Sequence, residues 1–341
     1  MVSFLNQIQT PLRTSSTEIE RAFGELDAHL NLDPVERLEA ITFHNKLTEK
    51  LKADGIISSA FLQGSFARKT MLSPIRDIDK VFLVSSLYKS WLSDNGGAVA
   101  AADVIEAALR GHYPDATFKR SRHALQMDLG EGKFSFDVVP AFDTDDDTTD
   151  VLIMDLQDDT WKRSNTRELM EVVAERNKAC DGRFVHQVRF VKDWSRRILD
   201  GKLPGLHVES IVFACVDESL GHADAVWRIF DCGAKLLGAG EGYDEPTGVE
   251  RLSAKLNDVD REAARQAFAA AATQSTKAWA LDQAGLVDEA VAAWKGIFGE
   301  LFGDTEPTGV DYLRGLGAGG AVLSRATSSA PGATTTRAWA P

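Results

Sequence analysis

FLQGSFARKTMLSPIRDIDKVFLV, from Phe61 to Val84, is the stretch whose reading decides the fold. Eleven residues separate a Gly-Ser pair (Gly64, Ser65) from an Asp-Ile-Asp triplet (Asp77, Ile78, Asp79). The apolar runs on either side predict the order strand, Gly-Ser turn, short helix, strand. Carboxylates at i and i+2 of a strand project from one face, so Asp77 and Asp79 can share a divalent cation. Gly64 lets the backbone pass close to a phosphate without a Cβ in the way. Ser65 offers its hydroxyl and N–H at a helix start, where the peptide dipoles favour anions. A third carboxylate, Asp137, lies in FSFDVVPAF, flanked by Phe136 and Val138 as a half-buried strand requires.

Three acids on adjacent strands beside a phosphate grip meet the needs of two-metal nucleotidyl transfer. Magnesium prefers oxygen ligands and keeps waters, so one or two carboxylates and the substrate phosphates complete its shell. A second metal that activates an attacking hydroxyl needs a further carboxylate beside the first pair. A lone Gly-Ser or a lone Asp-x-Asp is a weak signal; the combination at this spacing is specific. Asp128, before Asp137, reads instead as a strand-end residue. Strand alternation puts Lys80 on the face opposite Asp77 and Asp79, where snorkelling at the sheet edge is the expectation.

The 341 residues suffice for two closely packed domains, and 44% hydrophobic with 26% charged residues is ordinary for a globular chain. No apolar run reaches the length of a membrane span, and the N-terminus lacks a signal-peptide pattern. The formal charge of −13 argues against nucleic acid as a partner. Eight aspartates between residues 143 and 159, with no Lys or Arg among them before residue 160, read as a solvated hairpin tip. Cys180, Cys215 and Cys232 are far apart and odd in number, which predicts three reduced core thiols and a cytoplasmic location.

Along the chain, Asp33-Pro34-Val35-Glu36 reads as an N-cap, a Pro at the first helical position and a Glu at the third, opening a helix to about residue 52. An earlier helix is expected over 16–30. Strands are expected at 60–63, 78–84, 117–120, 123–129, 134–139 and 151–155, with a helix at about 98–111. Apolar i, i+3, i+4 spacing then predicts only helices, near 166–179, 183–199, 207–220, 224–237, 258–283 and 286–299. The expected domains are 1–160 (N-terminal helices plus catalytic core), 161–305 (a helical domain completing the nucleotide cleft) and 306–341 (a flexible tail). That tail carries Arg337-Ala338-Trp339 near its end, so both an inert end and a short recognition peptide for a regulatory or conjugating partner stay open. In HQVRFVKDWSRR (186–197), Phe190, Val191 and Trp194 suit a buried stripe, and Lys192 is the candidate cation for donor phosphates. His207 and Glu209 read as a satisfied helix start.

These residues resemble the polymerase-β-like nucleotidyltransferase superfamily and, more narrowly, the bacterial CD-NTase family of cyclic-oligonucleotide synthases in antiphage signalling. GSFARKT (64–70) is similar to that family's Gly-Ser-aromatic-x-Arg-x-Thr, and the run 177–194, ending in VKDW, looks like its second-domain helix. LHVES, the segment 243–268 and AAWKGIFGELF resemble its later motifs. The resemblance implies an α+β fold, a mixed β-sheet core with flanking helices packed on a C-terminal helical domain. It implies Gly64, Ser65 and Lys192 on the triphosphate, and Asp77, Asp79 and Asp137 as catalytic metal ligands. The cofactor would be two Mg2+ ions, with Mn2+ as a substitute. Gly205-Leu206 replaces the Ser-Tyr common in relatives, which leaves base preference open.

The expected function is template-independent synthesis of a cyclic di- or trinucleotide messenger from ATP, alone or with other nucleoside triphosphates, for a product-sensing effector protein. Two alternatives stay open: a nucleotidyltransferase acting on RNA ends or protein, and a catalytically silent nucleotide-binding scaffold.

Overall fold

The computed structural model describes residues 15–94, 96–130, 135–144, 149–238 and 241–303. The expected tail, the tip of the acidic hairpin at 145–148 and Phe134 lie outside the described residues. The described residues form two units: one of 15–30 with 176–303, the other of 31–175.

The second unit holds the sheet. Its first helix, α2 (Pro34–Ala53), starts as the sequence predicts: the Val35 and Glu36 N–H groups donate to Asp33 Oδ1 at 2.7 and 3.1 Å. The strands are β1 (Ile57–Leu62), β2 (Asp77–Val84), β3 (Thr117–Arg120), β4 (Leu125–Asp128), β5 (Ser135–Asp143), β6 (Val151–Asp155) and β7 (Thr160–Ser164). Between β1 and β2 comes the four-residue α3 (Gly64–Ala67), and between β2 and β3 the helix α4 (Gly97–His112). The sheet runs β1-β2-β5-β4-β3, with β6 and β7 continuing from β5. It is mixed: β2 and β5 are parallel, and the other pairings are antiparallel. β7 was not foreseen, because TWKRS is largely exposed and shows no apolar alternation.

Alternation sorts the two faces. Ile78, Phe82, Phe136, Val138, Leu125 and Met127 join one core with Phe43 and Leu47 of α2 and Ala98, Ala102 and Ile105 of α4. The opposite face carries the acids and, further along the strands, a smaller cluster of Val81, Leu83, Val139 and Ala141. Burying the first set removes Phe- and Leu-sized side chains from water, each contributing about 1.5–3 kcal/mol.

The first unit is helical: α1 (Thr17–Leu30), the end of α5 (Thr166–Ala179), α6 (Phe184–Leu199), α7 (Gly205–Cys215), α8 (His222–Leu236), α9 (Asp258–Gln283) and α10 (Val287–Phe298). The expected division at 160 is corrected in two respects: α1 belongs with these helices, and residues 161–175, with most of α5, belong with the sheet. Phe23 of α1 packs its ring 5.3 Å from Phe190, 5.2 Å from Trp294 and 4.9 Å from Phe302. Local spacing reveals that α1 is amphipathic but not which partner covers its apolar stripe.

The cysteine reading is also corrected. Cys215 and Cys232 form a disulfide between α7 and α8, and only Cys180 is free and buried. A sequence separation of 17 hid a pairing that the turn back from α7 into α8 creates, with the Cα atoms 5.8 Å apart. The cytoplasmic expectation therefore loses the support it drew from reduced thiols. Among the described residues no helix is long and apolar enough to cross a membrane.

The acidic tract is less solvated than expected. Asp155 takes a two-pronged bond from Arg122, which also reaches Asp158. Asp159 accepts from the Val99 N–H at the start of α4, and Asp143 and Asp150 pair with Arg167 and Arg163.

Candidate active site

Gly64 and Ser65 open α3, where the backbone ladder gives the first N–H groups no partner, and Gln63 supplies no side-chain cap. The turn is pinned from behind: the Thr70 and Met71 N–H groups both donate to the Ser65 carbonyl, at 2.9 and 3.1 Å. Gly64 has φ +67°, and a Cβ built on it would come within 2.5 Å of Asp79 Cγ and closer still to its oxygen. Glycine is required twice over, by conformation and by this approach. The turn that can grip phosphate therefore lies directly against the second acid of the triplet.

The three acids meet through strand pairing. Asp77 and Asp79 begin β2, and the parallel register sets Asp79 opposite Asp137 and Asp77 opposite Ser135. Register partners share a face with Cβ atoms close together, so Asp137 stands beside Asp79. Partial burial, then the Asp79 and Asp77 carboxylates, push the Asp137 carboxyl up to about 6. Such mutual repulsion marks carboxylates gathered for a cation or a proton.

Sequence reasoning passed over Ser135. Its hydroxyl donates to Asp77 Oδ1 at 2.5 Å, orienting that exposed carboxylate. The signal was present: two positions before Asp137 on the same strand is the same face. Asp128 ends β4 as expected, and its Oδ1 accepts the Gly130 N–H at 2.8 Å.

Lys80 departs from the snorkelling expectation. It is wholly buried, its ammonium donates to the His44 carbonyl at 2.6 Å and lies 4.6 Å from the Phe82 ring centre. Burial without an acid nearby pulls its pKa down to about 6.

Lys192 lies in the helical unit. It is 5% exposed and paired at 2.5 Å with Glu209, itself 2% exposed. Gly205 lies beside it, where a Cβ would be in ordinary contact with Lys192 Cε at 3.5 Å. His207 shares a hydrogen bond with the Tyr243 hydroxyl, 2.7 Å away.

For a divalent metal, the donor set fits by chemistry: hard carboxylate oxygens on adjacent strands, one of them with its pKa raised by burial and then by its acidic neighbours. As their side chains stand, no group of three His, Cys, Asp or Glu among the described residues converges tightly enough to hold an ion.

A Gly-Ser turn over a three-aspartate, mixed-sheet floor is the arrangement of nucleotidyltransferases. Residues 4–177 match the Second Messenger Oligonucleotide or Dinucleotide Synthetase domain, and the chain belongs to that family. Among curated proteins it is 24% identical over 159 residues to a probable cyclic nucleotide synthase of Bacillus cereus (strain VD146). That match takes in 39% of this chain and spans about half the length of the relative, 48%. Solved structures share the fold. CdnC of E. coli MS115-1, solved with ATP, has a TM-score of 0.63 at 16% identity, over 83% of this chain and 98% of that one. The CD-NTase CdnG of Bradyrhizobium diazoefficiens, solved with GTP, has 0.64 at 14% identity, over 88% and 98%. The cyclic AMP-GMP synthase DncV of Vibrio cholerae, solved with a linear intermediate, has 0.56 at 14% identity, over 84% and 87%.

Proposed function

We propose that this chain joins nucleoside triphosphates, ATP among them, into a cyclic di- or trinucleotide, and that an effector protein senses the product. The observation that carries the reading is the close approach of Gly64 to Asp79, with Asp137 next in register. Few reactions call for a phosphate grip against a carboxylate cluster, and attack on an α-phosphate is one.

In this reading Gly64 and Ser65 hold the donor triphosphate through unpartnered N–H groups and the Ser65 hydroxyl. Asp77, Asp79 and Asp137 would hold two divalent ions, magnesium or manganese, which when bound neutralise the phosphates and lower the pKa of the attacking hydroxyl. Ser135 keeps Asp77 turned toward the site. Asp137 faces the attacking ribose hydroxyl and favours loss of its proton. The ribose oxygen forms a bond to the α-phosphorus, the bond to the β-phosphate oxygen breaks, and pyrophosphate leaves with that electron pair. A second round on the linear intermediate closes the ring. Within the helical unit, the buried ion pair with Glu209 fixes the Lys192 ammonium.

The supply of nucleoside triphosphates argues for a cytoplasmic site of action. The likeness in fold to CdnC, which has been solved in complex with HORMA-deltaN, supports a regulatory protein partner. The test is incubation of the full chain with magnesium and all four labelled nucleoside triphosphates, then phosphatase treatment and mass spectrometry. A resistant cyclic product, absent from the Asp77→Ala, Asp79→Ala double variant, is expected. Labelled RNA or protein in place of a free nucleotide, or ATP binding without turnover under any condition, would overturn it.

A further inference from the structure

The register that joins Asp79 to Asp137 does not stop there. Asp137 faces Gln126 across the antiparallel β4–β5 pair, and Gln126 faces Lys119 across β3–β4. Register partners point to the same side, so one straight row crosses four strands: Asp79, Asp137, Gln126, Lys119. At about 4.8 Å per strand, Lys119 stands roughly 10 Å from Asp137 along that row.

The row has a direction. Gly64 and Ser65 follow β1, on the far side of Asp79, and the Gln63 N–H donates to the Asp79 carbonyl at 3.0 Å. A donor triphosphate gripped there occupies the β1 side of the acids. In-line attack requires the incoming hydroxyl to arrive opposite the leaving pyrophosphate, and the β4–β3 side is what remains of the sheet surface beside Asp137.

We propose that Gln126 and Lys119 bind the acceptor nucleotide, Lys119 its phosphates and Gln126 its sugar or base. The inference rests on the nucleotidyl-transfer reading above. The next cation on β3, Arg120, points to the other face and is tied to Glu106 and Asp103 of α4. Arg110, stacked on Phe118, is likewise paired with Glu106. Lys119 is exposed on the acid-bearing face, and among the described residues it forms no ion pair or hydrogen bond through its side chain. The half-buried Gln126 amide also has no side-chain partner among them. A compact ammonium suits a phosphate chain as a point charge, and an amide with two donors and an acceptor suits a sugar hydroxyl or a base edge. A single lysine on a chain of net charge −13 is not the basic track that a longer RNA acceptor would need.

The experiment is calorimetric titration of the full chain, with magnesium, by non-hydrolysable α,β-methylene analogues of all four nucleoside triphosphates. The wild type should take up two analogue molecules per chain. Lys119→Glu should weaken the second site by about tenfold or more, Gln126→Ala by about threefold, and Lys119→Arg should retain it, with the first site unchanged in each. Two sites unmoved by Lys119→Glu, or a single site in the wild type, would overturn the acceptor assignment and leave the donor site standing. No uptake by the wild type would remove the functional reading along with it.

Discussion

Asp79 and Asp137 stand opposite one another on adjacent parallel strands, and burial, with the Asp79 and Asp77 carboxylates adding to it, raises the Asp137 carboxyl to about 6. In the unfolded chain that group titrates near its ordinary value of 3.8. A carboxyl whose pKa is raised on folding costs nothing below the unfolded value, and its full cost is felt above the folded one. The protein should therefore lose stability from this group between about pH 4 and pH 6. Asp137→Asn should be about 2 kcal/mol more stable than the wild type at pH 7.5 and equal to it near pH 4. Urea melts at the two pH values check this; an equal gain at both would rule out the electrostatic origin. The same substitution should cut nucleotidyl transfer by about 1000-fold.

Gly64→Ala should be damaging out of proportion to one methyl group. The added Cβ must push away the Asp79 carboxylate, and φ +67° strains any side chain there. Backbone strain should cost about 1–2 kcal/mol. Product formation should fall far more than for Ser65→Ala, which loses one hydroxyl and keeps the N–H groups. Thermal melts and initial rates on the two variants separate the effects; near-wild-type rates for Gly64→Ala would sink the phosphate-grip reading.

Lys80→Met should stabilise the fold. The wild-type ammonium is buried with a carbonyl and the Phe82 ring beside it and no carboxylate partner, and its pKa falls to about 6. A base whose pKa is lowered on folding carries its full penalty below the folded value and none above the unfolded one, near 10.5. The gain from Met, roughly 3–5 kcal/mol near pH 6, should shrink toward pH 10. A pH series of chemical denaturation curves measures it, and a loss of stability at pH 6 would contradict the argument.

Glu209→Gln should destabilise the helical unit by about 3 kcal/mol, because it strips the nearest counter-charge from a buried lysine. Adding Lys192→Met removes the stranded charge and should recover most of the loss. In that double variant the KM for the donor nucleotide should remain raised if Lys192 touches its phosphates. Recovery of both stability and KM would leave the pair a purely structural role.

Much of the candidate site was legible in the chain. The Gly-Ser turn, the Asp-x-Asp strand and Asp137 are local patterns, and alternation alone placed each acid on a face. The cap at Asp33 and the helices from Thr166 onward were readable for the same reason. Lys80 was assigned the correct face but not its depth, because burial depends on α2 lying over it. Ser135 and Gln126 escaped notice because neither is charged and each matters only through the strand beside it.

The sequence by itself determined the candidate chemistry: a Gly-Ser turn, three carboxylates, and elements most of which show a period of two or 3.6. Only the tertiary structure decided which residues became neighbours. It set β5 parallel to β2, so that Asp137 meets Asp79, and carried the same row out to Gln126 and Lys119. It also drew α1 into the helical unit around Phe23 and joined Cys215 to Cys232. The physical reason is that local patterns record which side of an element must leave water. Strand register and the identity of the covering surface are settled by packing between segments far apart in the chain.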